Sequence, residues 1–291
     1  MDRIANWTRW VKVAASVALV GFLTPGCDLL DLTPPPHKGV RFKTSCNFDH
    51  AAPDDPIVFP NQPGAAHLHD FTGAVGVNAA TVTWAQLQAS HTTCNDPADK
   101  AAYWTPAITV NGVKRDPLRT TAYYRRGSKE GAILPYPAGL KIVAGHDLAN
   151  PSAPTGETGW RCGTATEAET GQLRPTPVGC KVDLTMRIHF PDCWDGKTLD
   201  SANHRSHMAY AVPGGRNQPS VCPSSHPVPL PALTTYTHYG DLAASAVVAL
   251  SSSPSAQHGV HGDFFNGWGV DRLHERVDAC LDTLVKCPSG G

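Results

Sequence analysis

KVDLTMRIHF, Lys181–Phe190, is the stretch that decides the fold class of this chain. Every second side chain in it is apolar: Val182, Leu184, Met186, Ile188 and Phe190. Successive side chains of a β-strand point to opposite faces of a sheet, so this alternation places the five apolar groups on one face. We therefore expect a half-buried strand, and we expect His189, on its polar side, to have a structural role.

Strand patterns dominate the rest of the chain as well. Further strands are predicted at residues 55–59, 101–110, 120–125, 139–144, 207–212, 234–239 and 246–250. Asn111-Gly112 is typical of a hairpin turn. Helical spacing is confined to residues 85–90 and to Val270, Leu273, Val277, Cys280, Leu281 and Leu284. The pattern predicts a mainly β fold, a disulfide-stapled β-sandwich-like single domain with a short C-terminal helix.

The N-terminus has the pattern of an export signal. Arg3, Arg9 and Lys12 precede an apolar run, 13–23, that is too short to remain as a membrane-spanning helix. The following TPGC is an imperfect bacterial lipoprotein signal, with Cys27 as the lipid-bearing residue; the alternative is that Cys27 is lost with a simple secretion peptide. We expect a secreted or cell-surface lipoprotein. Its parts are a signal peptide (1–26), a proline-rich tether (27–39) and one β-rich domain (40–288).

The nine cysteines are consistent with a secreted or cell-surface location. Setting Cys27 aside leaves an even set, enough for four disulfides in an oxidising compartment: Cys46, Cys94, Cys162, Cys180, Cys193, Cys222, Cys280 and Cys287. The sequence does not fix their pairing. Adjacent pairing is favoured, because Cys162 with Cys180 and Cys280 with Cys287 would close short loops.

The charge balance excludes one class of partner. Without residues 1–26 the chain loses three basic residues and one acid, which leaves 21 Lys and Arg against 24 Asp and Glu, a net charge of −3. That balance argues against nucleic acid or an anionic membrane surface as the main partner, so we expect membrane contact only through the lipid anchor. The 26 glycines and 26 prolines indicate a loop-rich extracellular fold.

Histidine and aspartate are concentrated in three segments that are distant in sequence. HLHD holds His67, His69 and Asp70, and HGVHGD holds His258, His261 and Asp263. The third segment holds Asp192, Asp195, Asp200, His204 and His207. An i, i+2 spacing sends two side chains to one face of a strand, and an i, i+3 spacing joins them on a helical turn. A site forms only where these segments meet in space.

These segments support two kinds of chemistry. The candidates for acid–base catalysis are His69, Asp70, Asp195, His204, His207 and Asp263. The candidate ligands for a divalent metal, zinc or copper by ligand type, are His67, His69, His207 and His261. The candidates for substrate contact are Trp194, Trp268, Asn266 and Tyr210. The simpler interpretation of each segment is structural, with aspartates that cap turns and tryptophans that cover disulfides.

Several reaction classes are excluded by absent motifs. The sequence contains no HExxH, GxSxG, P-loop or GxGxxG pattern, which argues against proteolysis and nucleotide-dependent redox chemistry. Its five glutamates lie outside the histidine- and aspartate-rich segments, so a two-carboxylate glycosidase would have to use aspartates.

Four blocks, HLHDF, FPDCWDGK, HRSHMAY and HGDFFNGW, occur in an order that resembles a large family of secreted fungal and bacterial proteins known only as a domain of unknown function. The resemblance runs from about Asp55 to Cys280. It implies secretion and a wall or extracellular setting, and it brings no established reaction. On these grounds we expect an extracytoplasmic hydrolase of a polymeric glycan, with extracellular or cell-wall polysaccharide as its partner. The alternatives are a non-catalytic wall-glycan binding protein and a metal-binding envelope protein.

Overall fold

The structure is a computed structural model that describes residues 39–145, 157–163, 172–215, 218–254, 256, 258–285 and 287. All of these residues belong to one compact unit, Pro34–Gly291. The predicted signal peptide and nearly all of the tether lie outside the described residues. Among the described residues, no helix has the length and apolar character that crossing a membrane requires.

The described residues form fifteen strands and two helices. The strands are β1 (Arg41–Ala52), β2 (His69–Gly73), β3 (Ala102–Pro106), β4 (Ile108–Val110), β5 (Val113–Arg115), β6 (Arg119–Arg125), β7 (Lys141–Gly145), β8 (Thr158–Arg161), β9 (Leu184–His189), β10 (Cys193–Trp194), β11 (Met208–Ala209), β12 (Val228–Pro229), β13 (Ala232–Gly240), β14 (Val248–Leu250) and β15 (His261–Phe265). The helices are α1 (Trp84–Ala89) and α2 (Val270–Arg276), and α2 continues as a π-helix over Val277–Asp282.

The long strand β1 belongs to both halves of the main sheet. Its first seven residues, from Arg41 to Asn47, pair with β6. Four of its last five residues pair with β2: Phe48, His50, Ala51 and Ala52. The full antiparallel order is β7-β15-β3-β2-β1-β6-β13-β9-β8. A register shift between Phe48 and His50 marks the point where β1 leaves one half for the other. The mainly β, sandwich- or barrel-like fold that the sequence predicts is confirmed.

The main core lies between the two halves of this sheet. Met186 and Ile188 of β9 are fully buried, and Phe264 of β15 packs 6.2 Å from Phe190, measured between ring centroids. Gly262 of β15 faces Ile188 so closely that a Cβ at this glycine would lie 3.0 Å from Ile188 Cγ1. The side chains of β15 next to Gly262 and Phe264 therefore point away from the main core.

A second, smaller core covers that outward face of β15. It comprises Ile57, Phe71, Ala74, Val77, Leu87, Ala102, Trp104, Val143 and Phe265. The long connection between β1 and β2 and the helix α1 supply its cover. This connection is fixed by Asp54, whose Oδ1 accepts from the backbone N–H of Gly64 (2.9 Å) and whose Oδ2 accepts from that of Ala79 (3.2 Å).

The predictions of individual elements hold where the local sequence pattern is strong. The strand at Leu184–His189, the Asn111-Gly112 hairpin and the helix that starts at Val270 are all confirmed. Val182 was expected to face the core but is 47% exposed, because Asp183 has a φ of 34° and interrupts the extended backbone before β9 begins. The strand expected at 55–59 is wrong, since these residues form a turn.

Adjacent cysteine pairing is confirmed among the described residues. The four disulfides are Cys46–Cys94, Cys162–Cys180, Cys193–Cys222 and Cys280–Cys287. They fit an oxidising compartment.

Candidate metal centre

Two of the three histidine-rich segments meet on the outward face of β2, β3 and β15. Phe71 of β2, Trp104 of β3 and Asp263 of β15 are register partners and form one row across the sheet. Side chains alternate along a strand, so His69 shares the face of Phe71, and His261 shares the face of Asp263. The fold thus brings together two histidines that are 192 residues apart in sequence.

The hydrogen bonds of His69 and His261 fix the state of both rings. His69 Nδ1 donates to the backbone carbonyl of Asp54 (2.9 Å), and His261 Nδ1 donates to that of Gly259 (2.8 Å). A carbonyl oxygen can only accept, so each Nδ1 carries the ring proton. In the neutral ring each Nε2 then carries no hydrogen. These two Nε2 atoms face each other at 3.4 Å.

His67, just before β2, completes a group of three imidazoles. Its ring centroid lies 4.2 Å from that of His69 and 5.0 Å from that of His261. One nitrogen from each of the three rings lies within 4.8 Å of the other two. His67 Nε2 is buried and has no hydrogen-bond partner among the described residues. Trp104, in the row beside Asp263, likewise has a buried Nε1 without an acceptor there.

Two carboxylates adjoin the same histidine group. Three atoms lie within 4.8 Å of one another: one carboxylate oxygen of Asp55, one carboxylate oxygen of Asp263 and one ring nitrogen of His69. Asp55 Oδ1 accepts from the backbone N–H groups of Ile57 and Val58, both at 2.9 Å, which turns the chain into the connection that precedes His67. We call His67, His69, His261, Asp55 and Asp263 the histidine cluster.

Burial favours the neutral form of two histidines of the cluster, His69 and His67. His69 is inaccessible to solvent, and burial is the main cause that lowers its pKa well below the usual range; the neighbouring His67 and His261 lower it further. Burial also lowers the pKa of His67 and raises that of Asp55. Neutral imidazole is the form that binds metal ions, so His67 and His69 need no deprotonation to act as ligands at neutral pH.

One family model matches this chain, and its description is Domain of unknown function (DUF1996), over residues 55–268. The chain belongs to this family. No curated protein and no solved structure gives a significant match. All five residues of the histidine cluster lie within the DUF1996 match, which begins at Asp55 itself.

The DUF1996 domain places Asp70 away from the cluster. Asp70 follows His69, and the pleat of β2 sends its carboxylate to the opposite face. There Lys114 Nζ binds Asp70 Oδ1 at 2.8 Å. Burial raises the pKa of Asp70 to about 6, although Lys114 opposes that shift. Asp70 is thus held in a buried ion pair and does not face His69 Nε2.

The third predicted segment is not part of the cluster, and its side chains are occupied locally. His207 Nε2 donates to the carbonyl of Lys141 (2.7 Å), and its Nδ1 accepts from Ser201 Oγ (2.9 Å). His204 Nδ1 pairs with Asp200 at 2.7 Å. Asp195 Oδ1 accepts from the backbone N–H groups of Lys197 (2.9 Å) and Thr198 (2.8 Å), as a turn-capping aspartate does. With both ring nitrogens bonded, His207 has no lone pair for a metal.

The predicted substrate-contact residues are divided between the core and the surface. Trp268 and Asn266 are buried, Trp268 Nε1 donates to Tyr124 Oη (2.9 Å), and Asn266 Nδ2 donates to the carbonyl of Pro137 (2.9 Å). Trp194 is half-buried and donates to the carbonyl of Thr198 (2.7 Å). Tyr210 lines a surface pocket of about 410 Å³.

Sequence patterns alone did not identify Asp55 as part of the site. It lies in DDP, residues 54–56, where two aspartates before a proline are typical of a turn. That signal predicts the local structure but gives no indication of the approach of β15.

Proposed function

We propose that this protein is an extracytoplasmic metal-dependent hydrolase whose ion, zinc in the first instance, is held by His67, His69 and His261. The observation that carries the proposal is the 3.4 Å separation of His69 Nε2 and His261 Nε2. Two nitrogens that each lie 2.0–2.1 Å from a tetrahedral zinc ion are separated by about 3.3–3.4 Å. In metal sites, ligating histidines commonly donate their other ring N–H to a backbone carbonyl, as both of these do.

A shared proton between the two rings explains the geometry less well. A good hydrogen bond to nitrogen or oxygen is shorter, about 2.7–3.2 Å, and it would require one ring to become an imidazolium in a buried site. A bound cation accounts for two observations together: the Nε2 atoms that face each other at 3.4 Å, and the buried Nε2 of His67, which has no hydrogen-bond partner among the described residues.

Three imidazole nitrogens and a neighbouring carboxylate suit hydrolysis. A catalytic zinc ion keeps three protein ligands and a water in the fourth position, and it lowers the pKa of that water. Asp263 or Asp55 can accept the proton of the water as a general base. Zinc polarises carbonyl and phosphoryl oxygens, so the favoured substrate group is an ester or amide substituent on an extracellular glycan. Copper is the second candidate ion on ligand type.

Metal analysis tests the centre directly. The full-length protein, prepared without a histidine tag and dialysed against zinc, should contain about one zinc ion per chain by mass spectrometry. His69→Ala and His261→Ala should lose it. His226→Ala is the matched control, because His226 bonds Ser225 and the Ser206 carbonyl and is not part of the cluster. A wild-type protein that binds neither zinc nor copper would overturn the proposal.

The reaction is tested on acetylated and unmodified wall polysaccharides. The zinc-loaded protein should release acetate, and Asp263→Asn should retain zinc but lose turnover. Formation of reducing ends by metal-free protein would instead support the aspartate- and histidine-based glycosidase. Zinc binding without any product would leave a metal-binding envelope protein. We propose the secreted or cell-surface location on the predicted signal and on the four described disulfides.

A further inference from the structure

Residues 199–207 run along β7, which is an edge strand of the main sheet and the neighbour of β15. We call them the edge segment. At the start of β7, the N–H of Lys141 donates to the carbonyl of Leu199 (3.0 Å). At the end of β7, Arg205 Nη1 donates to the carbonyl of Gly145 (3.3 Å). The edge segment is therefore held against both ends of this strand.

β7 borders the outward face of the sheet that carries the histidine cluster. Val143 of β7 is the register partner of Asp263, and Lys141 is that of Phe265. Side chains directly opposite each other in a ladder share one face, so Lys141 and Val143 lie on the face of Asp263. Lys141 Nζ lies 5.2 Å from the ring centroid of Phe265, which belongs to the second core on that face. The edge segment thus lies beside the histidine cluster although it contributes no residue to it.

His204 and Asp200 form a hydrogen-bonded pair within the edge segment. His204 Nδ1 donates to Asp200 Oδ1 (2.7 Å), and Lys141 Nζ binds Asp200 Oδ2 (3.3 Å). A carboxylate only accepts, so Nδ1 carries a proton and Nε2 is the nitrogen that can exchange one. The His204 side chain is 24% exposed, and its Nε2 makes no hydrogen bond within the part of the chain that the structure describes. Asp200 therefore fixes the ring and leaves its outer nitrogen open to a ligand.

The backbone of His204 has a rare conformation. Its φ of 58° lies in the left-handed region, which residues other than glycine seldom adopt. Its N–H donates to the carbonyl of Ser201 (2.7 Å), which closes the turn. Backbone strain of this kind is concentrated at functional sites, where the surrounding structure enforces it.

Electrostatics connect His204 to the histidine cluster. Burial raises the pKa of Asp55, and the charges of His204 and Lys141 are among the effects that oppose this rise. Asp55 is a member of the cluster. His204 therefore lies within electrostatic reach of the carboxylate that adjoins His69.

We propose that His204, oriented by Asp200, is the general acid that protonates the sugar oxygen when an ester on a glycan is cleaved. This inference rests on the proposed function, which supplies the attacking water. The water oxygen bonds to the acyl carbon and gives its proton to Asp263 or Asp55. The bond between the acyl carbon and the sugar oxygen breaks, and that oxygen takes the proton of His204 Nε2. The aspartate then releases its proton and His204 regains one, so that ester and water become carboxylic acid and alcohol.

The leaving group of the substrate tests the proposal. O-acetylated xylan requires protonation of its sugar oxygen, whereas 4-nitrophenyl acetate releases a stable nitrophenolate anion. His204→Asn tolerates the left-handed backbone but cannot transfer a proton. With zinc bound, its kcat on acetylated xylan should fall by about a hundredfold or more, and its kcat on 4-nitrophenyl acetate by less than about fivefold. Asp200→Asn should show the same selective loss to a smaller degree, because Asp200 acts only by positioning the ring.

Two further variants separate proton transfer from a structural role. His204→Gly also suits a positive φ, and added imidazole should restore part of its activity on acetylated xylan. A purely structural histidine would not be replaced by a free imidazole. His238→Asn is the matched control, because His238 forms a similar pair with Asp183 (2.8 Å) on β13 and belongs neither to the cluster nor to the edge segment. It should leave both activities unchanged.

The outcomes separate this inference from the proposed function. Equal effects of His204→Asn on the two esters, with the zinc content of the wild type, would overturn the role of His204 and leave the metal centre in place. Wild-type turnover of 4-nitrophenyl acetate alone would also overturn it, because the site would then not protonate a sugar oxygen. A zinc-loaded wild type that hydrolyses neither ester would overturn the proposed hydrolase and its general acid together.

Discussion

Asp70 and Lys114 form a pair whose two members are unequally buried. The Asp70 side chain is inaccessible to solvent, while that of Lys114 is 31% exposed and also contacts Asp116. Asp70→Asn therefore leaves a cation that is still solvated and paired, and the free energy of unfolding should change by less than about 1 kcal/mol at pH 7. Lys114→Ala leaves Asp70 buried without its cation or forces it to take a proton, so the loss should reach about 3 kcal/mol.

Urea unfolding of both variants and of the double variant measures this asymmetry. The zinc content of Asp70→Asn is the second measurement and should equal that of the wild type, because Asp70 faces away from His69 Nε2. Loss of zinc in Asp70→Asn with unchanged stability would place Asp70 in the metal centre after all.

Gly262 couples the main core to the histidine cluster. A Cβ at this position would lie 3.0 Å from Ile188 Cγ1 and 3.3 Å from Ile188 Cγ2, and the adjacent residues are His261 and Asp263. Gly262→Ala should therefore lower the free energy of unfolding by about 1–3 kcal/mol and weaken zinc binding, because β15 must move to relieve the contact. Calorimetry and zinc titration check both effects.

A compensating change at Ile188 tests the cause. Ile188→Ala removes the opposing atoms, so the double variant should be more stable than the sum of the two single changes predicts. Strict additivity would show that the contact with Ile188 is not what makes glycine necessary here.

The sequence predicts the histidines of the site better than it predicts their partners. The i, i+2 spacing of His67 and His69 and the histidine-glycine pattern at His261 led to three of the residues that meet. His207 has the same composition and spacing signals, but its two nitrogens bond the Lys141 carbonyl and Ser201. Such bonds depend on tertiary contacts, and no local pattern distinguishes a free imidazole from an occupied one.

At the scale of elements, the strand that was missed is the longest one. In β1 the inward positions include Phe42, Thr44 and Cys46, so the apolar alternation that reveals β9 is masked by a buried threonine and a disulfide cysteine. Thr44 is only 1% exposed, and its buried hydroxyl is satisfied by donating to Asn95 Oδ1 (3.0 Å). In the sequence, a threonine counts as polar, so its burial cannot be predicted from the alternation of apolar and polar residues. The strand that joins the two halves of the sheet was therefore not predicted.

The disulfide Cys193–Cys222 anchors a long surface segment of the domain. It joins β10 to the end of the segment that carries Tyr210 and Ser220, across a sequence separation of 29 residues. Replacing both cysteines with alanine should lower the free energy of unfolding by about 2–4 kcal/mol, which urea unfolding measures. Zinc binding should persist, since neither cysteine belongs to the histidine cluster.

The disulfide Cys280–Cys287 provides the control for that experiment. It closes a loop with a sequence separation of only 7 residues at the C-terminal helix, so its removal should lower the free energy of unfolding by less. Equal losses of stability in the two double variants would contradict the dependence on loop length.

For the whole molecule, Asp99 should make stability fall as pH rises. Its carboxylate accepts from Tyr103 Oη (3.0 Å) and the Ala101 N–H (3.1 Å), and burial raises its pKa to about 7. Between about pH 4 and pH 7 the unfolded chain releases a proton that the folded chain keeps. This contribution to stability is therefore full below about pH 4 and is lost by about pH 7, by up to roughly 4 kcal/mol.

Asp99→Asn isolates that contribution. The amide keeps an acceptor for Tyr103 but cannot titrate, so the variant should gain stability relative to the wild type as pH rises from 4 to 7. Urea unfolding at pH 4, 5.5 and 7 measures the difference. The contribution of His189 to stability depends on pH in the opposite direction. Burial lowers the pKa of this histidine to about 4, so its contribution is lost as pH falls from about 6.5 to 4. A constant difference between Asp99→Asn and the wild type would contradict the assignment.

A metal ion in the histidine cluster should stabilise the entire domain. His69 and His261 lie on strands separated by β3, and His67 and Asp55 come from the connection that covers the second core. An ion that binds only this folded arrangement adds about 2.7 kcal/mol at a free concentration one hundred times its Kd. For a domain of this size that free energy corresponds to roughly 5–10 °C in the Tm. Scanning calorimetry should show this loss after EDTA dialysis and its recovery with zinc but not magnesium, while His69→Ala should melt like the metal-free protein under all three conditions. A Tm of the wild type that is indifferent to zinc would remove the thermodynamic support for the centre, because an ion that binds only the folded arrangement must raise the free energy of unfolding.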